Sequence, residues 1–359
     1  MNDALYHAAL SSNDLIGPKR YGMILDEFGA VEPFFGLSPR EQIELLGLKK
    51  EDAAVRLEGM LGNGEKIVRD CEKKGIAIIT RGDPKFPPSL LTISDAPYIL
   101  YMAGKMNYSI PLIGVVGTRE PSNEAVNINR YFVTEFVNFQ LGIVSGMARG
   151  HDTVAQETAL ENRGYTVAVL ACGVDIVYPA SNRALYRSIV EHGAVVSEYP
   201  PGVQPDKWRF PLRNRIISGL ANIVFIVQAP VGSGALITAN YAEAQNKDVY
   251  VVPGNPMDSR YAGSNQLLQR GAKVALNPED IVLDLCGGKK TAVKRKVKEM
   301  PALDEAETKI YEQLAGERHI DELAALTGIP IAELNSTLTQ LELKGIVIQY
   351  PGRFYIRNI

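Results

Sequence analysis

The spacing of hydrophobic positions changes character twice along the chain. Up to about residue 74 they recur at helical intervals between short polar joints. In LIGPKRYGMILDEFG (15–29), Tyr21, Ile24, Leu25 and Phe28 share one face of a helix that begins at a Gly-Pro turn. From residue 76 β-branched runs take over: IAIIT (76–80), YILYM (98–102), LIGVVG (112–117), GIVSG (142–146), TVAVLA (166–171), AVVSE (194–198), NIVFIVQA (222–229) and VYVVPG (249–254). Most are separated by segments that can form a helix, such as EAVNINRYFVTEFVNF (124–139). Continuously apolar strands joined by helices predict a parallel sheet covered on both faces. Beyond residue 301 the pattern predicts helices at 304–314, 320–326 and 331–343, then the hairpin GIVIQY–PGR–FYIRN, together a winged helix.

The expected fold class is therefore α/β, a doubly wound, mostly parallel Rossmann-like sheet over 75–286. It is flanked by a small helical domain over 1–74, SAM- or helix–hairpin–helix-like, and by a winged helix over 301–359. The glycine turn before Lys19 and Arg20 reads either as half of a phosphate-gripping helix–hairpin–helix or as ordinary cap chemistry. Residues 287–300 form a linker with six basic residues between 289 and 298, either a solvated tether or an electrostatic aid to DNA binding.

Composition narrows the functional classes. Lys and Arg total 38 against 41 Asp and Glu, so any nucleic-acid site must be local. Cys71, Cys172 and Cys286 are too few and too far apart for a disulfide framework, which with the lack of a signal-like N-terminus or an apolar span predicts a cytoplasmic protein. The four histidines show no metal-binding spacing, and no metal or cofactor is expected.

Six strand ends are rich in glycine and small polar residues: Gly117-Thr118-Arg119, Ser145-Gly146 running to Arg149-Gly150, Cys172-Gly173, Ser197-Glu198, Gly232-Ser233-Gly234 and Pro253-Gly254-Asn255. Gathered at one rim of the sheet, such amides and hydroxyls suit phosphate oxygens. No GxGxxG and no GxxxxGK[ST] accompanies them, and no catalytic set stands out. Asp152 and Glu198 could act as bases, although a single acid near a strand end is ordinarily a cap or a salt-bridge partner. The segment 207–242 carries Lys207, Arg209, Arg213 and Arg215 without one acid up to Ala242, with Trp208 and Phe210 interleaved. Basic side chains that track a backbone beside aromatics that stack on bases make a single-strand site, unless the two aromatics are core anchors.

The blocks IGVVGTREPS (113–122), VSGMARGHDTVAQETAL (144–160), VAVLACGVDIVYPASNRAL (167–185), FPLRNRIISGL (210–220), SGALITAN (233–240), VPGNP (252–256) and GSNQLLQRGA (263–272) resemble, in order, those of the bacterial DNA-processing protein A (DprA/Smf) family. The resemblance implies a non-enzymatic, dimeric protein of natural transformation that binds single-stranded DNA and helps load the RecA recombinase. It assigns DNA contacts to Arg119, Lys207 and Phe210, and a dimer surface to Asn265 and Val274. The full set of candidate DNA-binding residues is Gly117, Thr118, Arg119, Ser145, Gly146, Arg149, Lys207, Phe210, Arg213, Asn214, Arg215, Ser233, Gly234, Thr238 and Gly254. The chain departs from the family pattern at Gly150-His151-Asp152 and Ala155-Gln156, and lacks the usual Tyr-Gly after Pro121. The competing readings are a Rossmann-like enzyme hydrolysing nucleoside monophosphates, whose PGG-x-GT pattern is incomplete at Pro253-Gly254-Asn255-Pro256, and a regulator acting through the winged helix.

Overall fold

A computed structural model describes residues 2–49, 57–286, 303–314 and 316–357, in two compact units, Met1–Lys296 and Val297–Ile359. The basic segment 289–298 lies outside the described residues. The larger unit begins with α1 (Asn2–Ser11), α2 (Pro18–Phe28), α3 (Pro39–Leu45) and α4 (Met60–Lys74). It continues through β1 (Ala77–Thr80), α5 (Pro88–Leu91), β2 (Ile99–Gly104), β3 (Leu112–Val116), α6 (Asn123–Asn138), β4 (Gly142–Ser145), α7 (His151–Glu161), β5 (Thr166–Val169), α8 (Arg183–His192) and β6 (Ala194–Ser197). It ends with α9 (Arg209–Leu220), β7 (Ile223–Ile226), α10 (Gly234–Ala244), β8 (Val249–Val251), α11 (Ala262–Gln269), β9 (Lys273–Val274) and α12 (Pro278–Leu285).

The strands form one sheet in the order β1-β2-β6-β5-β4-β3-β7-β8-β9. Neighbours from β6 through β9 pair in parallel, with Ile113 opposite Ile223 and Val115 opposite Phe225 at the centre. β1 and β2 are antiparallel additions at one edge. Their apolar texture does not reveal that direction, because a strand covered on both faces reads alike whichever way it runs.

Alternation along the strands divides the core. Val116, Val167, Val169, Val196, Val224 and Ile226 face Ile216, Ile217 and Leu220 of α9 and Ala235 and Ala239 of α10. On the opposite side, Ile113, Val115 and Phe225 pack on Phe132 and Phe136 of α6. Ala168, Leu170 and Val195 share that side with Leu10, Ile24 and Met60 of the N-terminal helices. The N-terminal helices and the sheet thus bury one common core, so the break in texture near residue 75 is not a break in packing. Arg20 donates to the carbonyls of Leu15 (2.6 Å) and Leu46 (3.1 Å), tying loops together, while Lys19 is exposed.

α9 is buried from Arg213 to Leu220. Its C-terminal carbonyls accept three bonds from the Lys247 ammonium, at Ser218 (2.7 Å), Gly219 (2.6 Å) and Ala221 (2.6 Å). A cation at this end also suits the helix dipole.

The smaller unit contains α13 (Glu305–Gln313), β10 (Arg318–His319), α14 (Ile320–Thr327), α15 (Ile331–Leu343), β11 (Val347–Tyr350) and β12 (Phe354–Arg357), with the strands in the order β10-β12-β11. Its own core is built from Ile310, Leu323, Leu334, Leu338, Leu341, Val347 and Tyr355. An Asp304–Glu307 capping box starts α13. This is the expected winged helix, with the short strand β10 added.

Candidate nucleic-acid interface

β3 and β7 are neighbours whose chain continuations leave in opposite directions across the sheet, and ligands of open α/β sheets bind at such a reversal. A groove of about 610 Å³ opens there. Its walls are Gly117, Thr118 and Arg119 after β3, Ala148 and Asp152 around the start of α7, and Tyr178 after β5. Further walls are Lys207, Phe210, Pro211, Arg213 and Asn214 around the start of α9, and Pro230 through Ala235 with Ile237 and Thr238 leading into α10.

Phe210 is the centre of the exposed chemistry. It is half-buried, with the Tyr178 ring 5.5 Å away and tilted by 52°, and the Arg119 guanidinium 5.5 Å from its centroid. Arg119 and Lys207 are both exposed. Gly150 fixes the loop bearing Arg119: its φ is +79°, and a Cβ there would come within 2.4 Å of the Thr118 carbonyl oxygen. Thr118 is held in turn by its own amide, which donates to Gln228 O (2.8 Å), and by its carbonyl, which accepts from His151 N (3.2 Å). Ser233 caps α10 by accepting from Ala235 N (3.3 Å), beside Gly234 and the buried Thr238. The result is an aromatic platform flanked by two cations and faced by a helix N-terminus, an arrangement whose chemistry suits a phosphodiester and a base side by side.

Several residues expected on the ligand are also engaged by the scaffold, Arg213 and Asn214 while lining the groove and Arg215 and Ser145 away from it. Arg213 is buried, donating to Gly146 O (2.8 Å), Val169 O and Asn214 Oδ1 (3.2 Å), and its guanidinium lies 6.0 Å from the Phe210 centroid. A Cβ on Gly146 would meet that guanidinium at 2.4 Å, so this glycine is needed for the close approach. Burial pulls the Arg213 pKa down and pushes that of Asp152 up, and each charge compensates the other. Asn214 donates to Gly234 O (3.1 Å). Arg215 is buried against Glu198 in a two-pronged ion pair (2.6 and 2.7 Å), and also donates to Asp95 O (2.9 Å). Burial opposes its charge, but Glu198, Asp95 and Tyr199 together outweigh burial and the net shift is upward. Ser145 is buried and donates to Val115 O (2.6 Å). Arg149 is exposed but does not line the groove, and neither does Gly254, whose backbone is clipped by the Asn265 amide through two 3.1 Å bonds. Buried arginines of this kind are found where a carboxylate compensates them, Glu198 for Arg215 and Asp152 for Arg213.

Tyr178 was missed. A single aromatic before a proline reads as turn chemistry, and only the folded chain places it on Phe210. Among the described residues no group of three or more metal-ligating side chains gathers.

His151 lies beneath the groove, fully buried, with its Nδ1 accepting from Asn129 Nδ2 (2.9 Å). Burial drags its pKa down to about 4. The unfolded chain binds a proton near pH 6.5 whereas the fold does not, so this group's contribution is complete above pH 6.5 and is lost as the pH falls toward 4. It amounts to about 3 kcal/mol. Urea titrations from pH 7 to pH 4 should show a shallower acid loss for His151→Asn than for the parent, and equal slopes would refute the assignment.

The chain matches the family model described as DNA recombination-mediator protein A over residues 77–286 and that of the DprA winged helix domain over 295–353. It is similar to Protein Smf of Synechocystis sp., 30% identical over 99% of both chains. It is also similar to the DNA processing protein DprA of Bacillus subtilis, 35% identical over 68% of this chain and 82% of that one. Among solved structures it is similar to DNA processing protein A from Streptococcus pneumoniae, with a TM-score of 0.68 and 30% identity over 79% of this chain and 98% of that one. It is likewise similar to the Helicobacter pylori protein, whose structure concerns a single-stranded DNA binding mode, with a TM-score of 0.54 and 29% identity over 59% of this chain and 96% of that one.

Proposed function

Because the chain belongs to the DNA recombination-mediator protein A family, we propose that it is a non-enzymatic, dimeric binder of single-stranded DNA that protects incoming strands and hands them to the RecA recombinase in natural transformation. The observation that carries the reading is the gathering of Arg119, Lys207, Phe210 and Tyr178 in one groove at the sheet's reversal point. Both carboxylates that could serve as bases are engaged: Asp152 accepts from Gly146 N (3.1 Å) and Ala148 N (3.3 Å), and Glu198 is clamped by Arg215. That supports binding over hydrolysis of a nucleotide.

The test is a fluorescence-anisotropy titration of single- and double-stranded oligonucleotides at several salt concentrations. Each phosphate contact contributes about 0.7 to the slope of log affinity against log salt for a single strand. Arg119→Ala and Lys207→Ala should each flatten that slope by about this amount and weaken binding to every sequence. Parental affinity and slope in both variants would refute the reading.

For the dimer, the edge strand β9 supports Val274, which is 52% exposed beside Leu276 at 66%. Asn265 already spends its amide on Gly254.

The winged helix is proposed as a protein-interaction element and not a reader of duplex DNA. Residues 301–359 hold nine acids against five bases. The one base just past α15, Lys344, is bound by the buried Glu307 at 2.5 and 2.7 Å, while Glu333 and Glu342 stay exposed. Recognition helices ordinarily present uncompensated Arg and Lys to the phosphates. A chain ending at Gly287 should retain the parental affinity for single strands. Micromolar binding of duplex by the 301–359 fragment at about 0.15 M salt would overturn this.

A further inference from the structure

Resting on the single-strand reading above, we propose that Trp208 is a second base-stacking site, outside the groove, which extends the path of the strand across the N-terminal end of α9. Trp208 adjoins Lys207, which lines the groove, but does not line it itself. The residue is exposed.

The neighbours of the indole hold it in place and leave the residue 45% exposed. Its Nε1–H donates to Asp206 Oδ2 (2.9 Å), which fixes one edge. The Arg209 guanidinium lies 4.8 Å from the indole centroid and 5.0 Å from the Tyr199 centroid. Arg209 is anchored by bonds to Gln204 O (2.6 Å) and Asp14 Oδ2 (3.3 Å). Tyr199 meets the indole edge-on at 6.5 Å. A lone exposed aromatic needs no explanation. An exposed indole whose orientation is set by a hydrogen bond, a tethered cation and a second ring is a stacking surface held ready. Bases of any sequence offer a π-face to such a surface, and Arg209 contributes a cation–π layer beside it. The ligand is therefore an unpaired nucleobase of the strand whose phosphates meet Lys207.

Trp208 is the only tryptophan in the chain, so its emission reports on this position alone. Oligothymidylates of increasing length are titrated against the full chain, with anisotropy reading binding and indole emission reading the site. The shortest oligomers that bind should leave the emission unchanged, and longer ones should quench it. Trp208→Leu, which keeps the bulk without the π-face, should weaken the long oligomers roughly 5- to 150-fold and leave the short ones at parental affinity. Trp208→Phe should recover most of the loss. Unchanged emission at anisotropy saturation, or parental affinity of Trp208→Leu at every length, overturns the proposal while the groove reading stands. If no oligomer binds the parent chain at all, the groove reading falls and this site falls with it.

Discussion

Replacing Arg215 by Met is expected to remove about 3–5 kcal/mol of folding free energy and to leave the DNA affinity of the folded fraction unchanged. Arg215 is buried and pairs with the partly buried Glu198, and the arginine also serves the Asp95 carbonyl. Removing the arginine leaves the Glu198 charge in a site that solvates it poorly. The double variant Arg215→Met/Glu198→Leu should recover most of the loss, because a buried ion pair and a hydrophobic pair of similar volume are often nearly equal in stability. Urea midpoints measure the first effect and oligothymidylate titration of the same samples the second. A stable Arg215→Met protein with a reduced salt slope would return this arginine to the DNA.

Phe210→Ala is expected to weaken single-strand binding by roughly 5- to 150-fold, from a stacking contribution of about 1–3 kcal/mol per base. Truncating a fully buried Phe would instead cost about 3–5 kcal/mol of stability. Phe210 is only half-buried, between Tyr178 and the Arg119 guanidinium, so the larger change should fall on binding. Melting curves beside binding curves separate the two roles: a large loss of stability with intact affinity would make Phe210 a core residue. Phe210→Tyr should keep most of the affinity, since the ring is retained.

The sheet was legible because its strands are continuously apolar and its connections helical. β9 was not, being two exposed residues with no period to read. The site divides along the same physical line. Arg119, Lys207 and Phe210, singled out by the family resemblance, lie together on the groove. Arg213 and Arg215 could not be told from them by type or by spacing. The one available sign was the run Ile216-Ile217 directly behind them, with Leu220 one turn on, which marks a helix covered on more than one side. Tyr178 and the closure of Asn265 on Gly254 depend on contacts between distant segments, which no local pattern encodes.

The clasp of Lys247 on the end of α9 bears on how fast the protein can work. This helix carries Phe210 at one end, is pinned along its length by Arg213, Asn214 and Arg215, and has its last carbonyls held by an ammonium at the other. On the proposed reading the platform is ordered before a strand arrives, and the entropy of ordering falls on the nucleic acid. Encounter is then expected to follow diffusion and the field of Arg119 and Lys207, with no slow rearrangement of α9 between meeting and docking. Stopped-flow mixing should accordingly place differences in affinity among strands in their residence times.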